Sequence, residues 1–442
     1  MSFKSKTNIR AVILAAGKGT RMKSQKPKVL HEIFSKPLVG RVVEAIENIS
    51  KEDEIKSVVV VGHGADEVEK YLSKYKNITC VLQKEQLGTG HAVSMALDEL
   101  KNFKGTVIIA CGDTPLLKSA TLKKMCEYHE EHNADVTVMS AVFENPFGYG
   151  RIVRAQDSSV EAIVEQKDAN DEQKAIKEVN TGVYCLKWES VKDSFKELKN
   201  NNSQGEYYLT DIISWARQKK KKALSFVIED ASETLGINSR YQLAQATEIL
   251  KTQKLKELMD NGVTIVDPQS TSISPETTIG EDTIIYPNTY INGENKIGRN
   301  CKIGPFSHFR GNVEVGDCSK IGNFVELKNA VIGSHTNVSH LSYVGDASLG
   351  SNVNIGAGTI FANYNSITKE KKKSTLANGV SVGSNAVIVA PVELEENVFV
   401  GAGSVITKDA RKDSLVLSRS AQKEYPQWVE KQKNLLNKKG EE

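Results

Sequence analysis

Two different hydrophobic rhythms divide the 442-residue chain. Up to about residue 230, short apolar runs alternate with amphipathic segments. The runs Ala11–Ala15, Val58–Val61 and Val107–Ala110 predict strands, and Leu38–Ile49 and Ala65–Tyr75 predict helices. This alternation predicts βαβ units around a mostly parallel sheet, with an active site at the carboxyl ends of its strands. From Ser239 to about Gly262 a long polar-rich helix is predicted, with Leu243, Ala246, Leu250, Leu255, Leu258 and Met259 as its apolar members and Gly262 as its stop.

The second rhythm has a period of six. A branched or aromatic apolar residue recurs at every sixth position from Ile273 to Leu327. After a five-residue step the series resumes at Ile332, Val338 and Val344, and after another at Leu349, Ile355, Phe361 and Ile367. A lysine-rich insert, 368–375, interrupts it before it returns at Leu376 and runs to Ile406. Each unit reads as one short side of a prism whose apolar residue points inward, three units closing a coil, which gives about seven coils. Glycine follows the apolar residue in many units, as in Ile279-Gly280, Ile297-Gly298, Ile321-Gly322 and Val400-Gly401, and is expected to help the chain turn. After Lys408 the apolar anchors Leu415, Val416, Leu417 and Trp428 are scattered, which predicts a loosely packed tail.

Composition narrows the function. The net charge of +3 lends no support to nucleic-acid binding. Six cysteines without C-x-x-C spacing argue against a zinc site or a disulfide framework and suit a reducing compartment. The apolar run Ala11–Ala16 behind Lys4, Lys6 and Arg10 is too short for a signal peptide, and no stretch reaches membrane-spanning length. A cytoplasmic protein without integral membrane association is expected.

Directly after the first predicted strand comes Leu14-Ala15-Ala16-Gly17-Lys18-Gly19-Thr20-Arg21-Met22, then Pro27-Lys28. Glycines at a strand end let backbone N–H groups approach phosphates, and Lys18, Arg21 and Lys28 supply positive charge. A glycine pair alone better describes an ordinary turn. The whole string, however, resembles the signature of sugar-1-phosphate nucleotidyltransferases. Leu82-Gln83 with Gln86-Leu87-Gly88-Thr89-Gly90 is similar to that family's uracil loop, and Cys111-Gly112-Asp113 to its metal-binding strand end. Gly148-Tyr149-Gly150-Arg151, Val164-Glu165-Gln166-Lys167-Asp168, Asn180-Thr181-Gly182 and Gly236-Ile237-Asn238 resemble its sugar-binding and second metal segments. The hexad, in turn, resembles the left-handed parallel β-helix of hexapeptide acyltransferases. Together they resemble the bifunctional N-acetylglucosamine-1-phosphate uridyltransferase/glucosamine-1-phosphate acetyltransferase family over nearly the whole chain.

The resemblance implies an α/β, Rossmann-like nucleotidyltransferase domain (1–238), a helical linker (239–262) and an all-β left-handed parallel β-helix with a tail (263–442). It implies acetylation of glucosamine 1-phosphate by acetyl-CoA, then UMP transfer from UTP to N-acetylglucosamine 1-phosphate with release of pyrophosphate. The product, UDP-N-acetylglucosamine, is a precursor of bacterial peptidoglycan and lipopolysaccharide. By resemblance Asp113 and Asn238 hold Mg²⁺, and Lys28 and Arg21 offset charge on the reacting phosphates. Leu14, Ala15, Ala16, Gly17 and Thr89 belong to the nucleotide site, Gln83 and Gly88 read uracil, and Gly150, Glu165 and Asn180 hold the sugar. Asp113 before Thr114-Pro115 has a bland reading as a helix N-cap.

In the β-helix His340 matches the family's general base, a task suited to an imidazole near neutrality. Arg310 and Lys328 match the grip on the sugar phosphate, and Tyr343 and Asn354 sugar contacts. Ala357, Asn363, Tyr364, Ser384, Ala402 and Arg419 match the acetyl-CoA groove, which in such folds lies between the subunits of a homotrimer. In two respects the chain departs from the pattern. About two coils are missing upstream of Ile303, and Asn365-Ser366 stands where the family has Asp-Gly, ahead of a lysine-rich loop. The alternative is a nucleotidyltransferase alone, with the β-helix as a trimerisation scaffold.

Overall fold

In the first half, the longest apolar runs form strands buried on both faces and shorter or mixed runs form half-exposed ones. They are β1 (Ile9–Ala15), β2 (Lys56–Val61), β3 (Ile78–Leu82), β4 (Thr106–Cys111), β5 (Val136–Val142), β6 (Arg151–Arg154), β7 (Val160–Val164), β8 (Glu178–Lys187) and β9 (Ala223–Val227). The computed structural model describes residues 8–50, 53–157 and 159–439. Lys4 and Lys6, like the extreme ends of the two domain ranges, lie outside the described residues.

The sheet order is β9-β5-β8-β4-β1-β2-β3, parallel except for β8, which runs antiparallel to β4 and β5; β6 pairs with β7 and β8. Successive side chains point to opposite faces, so Ala11, Ile13 and Ala15 pack with the helix Leu38–Glu47, whereas Val12 packs with Ala92, Val93 and Ile212 on the other side. β1 and β4 are adjacent in register, Leu14 beside Cys111, so the glycine loop after β1 and Asp113 after β4 emerge at the same sheet edge.

The connector helix spans Arg240–Asp260. Gly262, with φ +87°, ends it: Gly262 N–H reaches the Met259 carbonyl at 3.1 Å and Val263 N–H the Leu258 carbonyl at 3.0 Å, the double bond of a Schellman cap. Leu255 and Leu258 are buried, but Met259, expected among the apolar members, is exposed. The chain divides within this helix into two units, Met1–Leu250 and Lys251–Glu442.

The second unit is a parallel β-helix. Rungs stack eighteen residues apart, Ile273 on Ile291 and Ile291 on Phe309, and the inward residues form one continuous apolar column. Among the described residues one face carries nine stacked strands, more than the expected coil number, because Thr264–Ile265 begins it and Leu415–Val416 ends it. The five-residue steps are places where a strand runs straight through a corner, as in Glu326–Ile332 and Tyr343–Leu349.

The structure corrects two expectations for the β-helix and bears out the loosely packed tail. The glycines at 280, 298, 322 and 401 after inward residues do not make the turn; a Cβ on Gly298 would lie 2.8 Å from the Asp317 amide of the next coil, and one on Gly322 2.1 Å from the Ser339 carbonyl. Those glycines permit close stacking. The turn is made two residues later in the left-handed region, at Asp282, Asn288, Asn300, Asn385 and Asn397, residue types that tolerate positive φ. Ile367 is not in the column. It is 89% exposed, on a hairpin that begins before the expected insert and in which Tyr364 pairs with Lys371. In the tail, only Val416 of the four anchors packs on the core; Leu415, Leu417 and Trp428 are exposed, the last on the helix Trp428–Lys439.

Candidate active sites

In the α/β unit, Leu14, Ala15, Ala16 and Gly17 from the end of β1, Lys28, Gln83, Gly88, Thr89 and Asp113 line one cleft. The N–H groups of Gly17, Lys18 and Gly19 make no hydrogen bond among the described residues, and Gly17 faces open space. That loop is therefore a set of free donors at a strand's carboxyl end, suited to phosphate oxygens. Gly19, at φ +60°, lies against Lys28, where a Cβ would come within 2.6 Å of Lys28 Cβ. Lys18 and Arg21 are exposed, Arg21 on the one-turn helix Thr20–Met22 outside the cleft lining.

The Lys28 ammonium forms a short ion pair with Asp113 and donates to Asn238 Oδ1 at 3.0 Å. Ile237 N–H donates to the Asp113 carbonyl at 2.9 Å, which brings Asn238 to β4. The Asp113 carboxylate thus faces a cation rather than capping a helix. Two hard oxygen donors converging on a position already beside a cation are a chemically suitable pair for Mg²⁺, with phosphates and water completing the shell. No cluster of three or more His, Cys, Asp or Glu with metal-ligand geometry occurs among the described residues. Burial and the Asp113 charge push the Cys111 thiol up to about 12, so at neutral pH it is an inert wall of the cleft.

Gln83 is buried and its amide Nε2 is committed to the Gly88 carbonyl at 3.3 Å and His91 Nδ1 at 2.9 Å, leaving Oε1 to accept. Gly88 N–H is uncommitted. An acceptor beside a donor matches an imide edge such as that of uracil. Gly88 has φ +111°, and a Cβ there would strike the Tyr207 backbone at 2.6 Å. Tyr207 is zipped to this loop through Tyr207 N–H to Leu87 O and Gly90 N–H to Tyr207 O, both 2.8 Å. That pairing carries Glu206 into the cleft lining. Glu206 and His91 are functional candidates that sequence reasoning missed; Gly205-Glu206-Tyr207-Tyr208 carries no hydrophobic period that would have placed it.

Gly150, Glu165 and Asn180 form a second cluster. Asn180 N–H donates to the Gly150 carbonyl at 2.8 Å, and Glu165 Oε1 lies 3.3 Å from where a Gly150 Cβ would stand. Asn180 Oδ1 accepts from Gly182 N–H at 3.0 Å and Tyr184 Oη at 3.1 Å, so its Nδ2 donors stay free. Burial, with Asp168 and Asp211 nearby, raises the Glu165 carboxyl. Burial and Asp113 likewise raise Tyr149.

In the β-helix, His340 is exposed at the end of the strand Asn337–His340, and Tyr343 begins the next strand across the corner at Leu341. Ser342 Oγ donates to the His340 carbonyl at 2.8 Å and fixes this corner. A Cβ on Gly345 would lie 2.2 Å from Tyr343 Oη, so only glycine lets the phenol lie across it. Asn363 Nδ2 donates to Tyr343 Oη at 3.4 Å and to Asp346 Oδ2 at 2.5 Å. Arg310 donates to Glu326 at 2.8 Å, and the positive charges of Lys371 and Arg310 lower the Lys328 ammonium. Three cations against the two carboxylates Glu326 and Asp346 leave a net positive position favourable to a phosphate.

Asn354 stacks in register between Asn337 and Ser381. Ala357 and Ser384 accept at corners of successive coils, from Asn385 N–H at 2.7 Å and Gly403 N–H at 2.8 Å, and Arg419 Nη1 donates to the Ala402 carbonyl at 2.8 Å. These residues form a column along the prism. Tyr364, by contrast, is carried out on the hairpin and is 53% exposed.

A family profile described as nucleotidyl transferase matches residues 10–248, and one described as bacterial transferase hexapeptide (six repeats) matches 296–329 and 373–408. The chain is 44% identical to a protein named "Bifunctional protein GlmU" of Shouchella clausii, over 95% of this chain and 98% of the relative. It is 44% identical to the protein of that name from Acetivibrio thermocellus (98% and 99% covered) and 42% to that from Clostridioides difficile (96% and 98%). The first alignment runs to 454 positions, so roughly thirty positions of the Shouchella protein face gaps here, close to two turns of an eighteen-residue coil.

Proposed function

The chain belongs to the family of bifunctional GlmU proteins, and from that premise we propose how its two units make UDP-N-acetylglucosamine. In the β-helix, the amine nitrogen of glucosamine 1-phosphate attacks the thioester carbonyl of acetyl-CoA. The C–N bond forms, the C–S bond breaks, and His340 takes the amine proton as the CoA thiolate leaves. Arg310 and Lys328 hold the sugar phosphate, Tyr343 and Asn354 the sugar. Ala357, Asn363, Tyr364, Ser384, Ala402 and Arg419 follow the acetyl-CoA chain.

In the α/β unit, a phosphate oxygen of N-acetylglucosamine 1-phosphate attacks the α-phosphorus of UTP and pyrophosphate departs. A phosphate dianion needs no general base, so alignment and charge neutralisation carry the rate. The free N–H groups of residues 17–19 receive phosphate oxygens, Gln83 Oε1 and Gly88 N–H read the uracil edge, and Gly150, Glu165 and Asn180 orient the acceptor sugar. Lys28 and Arg21 offset charge on the transferred and leaving groups. Asp113 and Asn238 would hold Mg²⁺, which supplies further neutralisation of the phosphates when bound. The single observation that carries this half is Lys28, Asp113 and Asn238 meeting at the carboxyl end of β4.

We further propose a homotrimer. Its support is an exposed apolar stripe beside His340: Phe306, Phe324 and Leu341 occupy stacked corners at positive φ, where asparagine or glycine is the easier choice, and the two phenyl rings stack at 5.2 Å. Covering that stripe with a second copy encloses the acetyl-transfer site. No helix among the described residues is long and apolar enough to cross a membrane, and we propose that the protein works in the cytoplasm.

One assay tests the scheme. The full chain is incubated with Mg²⁺, UTP, acetyl-CoA and glucosamine 1-phosphate, with thiol release followed and the product weighed. UDP-N-acetylglucosamine with stoichiometric thiol is expected. A folded oligomer that releases no thiol would sink the acetyl-transfer half.

A further inference from the structure

Arg151 is a buried charge inside the α/β unit that the scheme above leaves without a task. It is 2% exposed and makes no direct ion pair among the described residues, though the Glu165 carboxylate acts on it from further off. Burying a guanidinium without a directly bonded anion is costly, so such a residue is unexpected unless its hydrogen bonds hold something in place. Its Nη1 donates to the Tyr149 carbonyl through a short bond, and its Nη2 donates to Gln166 Oε1 at 2.7 Å. Gln166 Oε1 also accepts from Gly148 N–H at 3.1 Å. The turn is closed from its other side by Tyr149 N–H to Pro146 O at 3.2 Å.

The guanidinium therefore joins two segments that each carry a member of the acceptor cluster. One is the turn 145–150, which ends in Gly150. The other begins at the end of β7 and contains Glu165 and Gln166. β6 adds the third member, because Arg151 stands in register with Val179, and the Gly150 carbonyl accepts from Asn180. Gly150 and Glu165 thus each adjoin a partner of this bridge and Asn180 is bonded to Gly150, whereas the nucleotide-side residues Gln83, Gly88 and Gly17 have no such link.

We propose that Arg151 is a positioning residue for the acceptor sugar: through Tyr149 and Gln166 it holds the three sugar-binding positions in register while leaving the nucleotide side untouched. This rests on the uridylyl-transfer reading. It separates the two substrates in a way that a role in folding alone would not, since general loosening of the unit would weaken both.

The test is steady-state uridylyl transfer with each substrate varied in turn, for wild type, Arg151→Gln, Arg151→Lys and Gln166→Ala. Expected is a rise of about tenfold or more in KM for N-acetylglucosamine 1-phosphate in Arg151→Gln, with KM for UTP within about twofold. Arg151→Lys, which keeps the charge and can reach one acceptor, should recover part of the loss. Gln166→Ala should show the same sugar-selective rise, and it decides the question if Arg151→Gln does not fold. Sugar KM values within about twofold of wild type in the folded variants, or equal rises for both substrates, overturn the proposal. A wild-type chain that forms no UDP-sugar overturns the reading beneath it.

Discussion

Ile237 N–H donates to the Asp113 carbonyl at 2.9 Å, and by this bond the chain after β9 is laid against the end of β4. The next side chain, Asn238, then reaches the ammonium that Asp113 already binds. A backbone bond is a firmer way to set two oxygens at a fixed separation than two flexible side chains alone. Asp113→Ala and Asn238→Ala are each expected to lower uridylyl transfer by about 10²-fold or more. Both should leave acetyl transfer unchanged, and Asn238→Ala should require more Mg²⁺ for half-maximal rate. An unaltered Mg²⁺ dependence in that variant would remove Asn238 from the metal site.

His340→Ala is expected to do the converse. Loss of a positioned general base typically costs 10² to 10⁴-fold, so thiol release should fall by about that factor while UTP turnover persists. Both rates are measured on one preparation. A variant that loses both activities while keeping its fold would contradict the division of labour.

Gly19 supports Lys28 directly. At φ +60° an alanine carries a left-handed penalty of about 1–2 kcal/mol, and its methyl would stand 2.6 Å from Lys28 Cβ. Gly19→Ala should therefore displace the lysine and slow uridylyl transfer by about tenfold or more. An unchanged kcat would show that Lys28 does not need this support.

The column and the hairpin should respond oppositely to truncation. Phe361 is 1% exposed inside the prism, and Phe361→Ala should cost about 3–5 kcal/mol, read as the denaturation midpoint of the β-helix. Ile367→Ser, on the exposed hairpin, should stay within about 0.5 kcal/mol of wild type. A large loss at Ile367 would return it to the core.

Stability of the α/β unit should fall on mild acidification. Burial lowers His129 to about 4 from its ordinary 6.5, and its Nδ1 lies 2.8 Å from Thr137 Oγ1 in a site 2% exposed. Both folded and unfolded chains hold it neutral above pH 6.5. As pH falls towards 4 the unfolded chain takes up a proton that the folded chain excludes, so the stability present at neutral pH is lost. From this group the loss between pH 7 and pH 5 is about 2 kcal/mol. Melting curves across that range should show it, and His129→Gln should flatten the dependence.

Much of both units was legible beforehand because their cores are periodic. The hexad named the inward residues of the prism, since stacking puts the same side of every coil into one column, and it failed at Ile367 because spacing carries no sign of a chain leaving the column and returning. The turning role that spacing suggests for the glycines fails for a related reason. Spacing locates a small residue but does not say whether it is small to turn or to let the next coil approach. Likewise the motifs named Asp113 and Asn238, whereas nothing in them marked Glu206, which enters the cleft only through the pairing of Tyr207 with Leu87 and Gly90.

The amino-acid order by itself determined the two architectures, the connector helix and its glycine stop, and the residue types at each candidate position, because these rest on local period, capping and short motifs. Only the tertiary structure decided which groups meet. Lys28 lies between Asp113 and Asn238, Arg151 is buried beside Tyr149 and Gln166, and Lys371 comes close enough to Lys328 to lower its ammonium. Contacts between residues far apart in the chain depend on how strands and coils stack, and that stacking is set by packing of the whole core rather than by any segment's own preference.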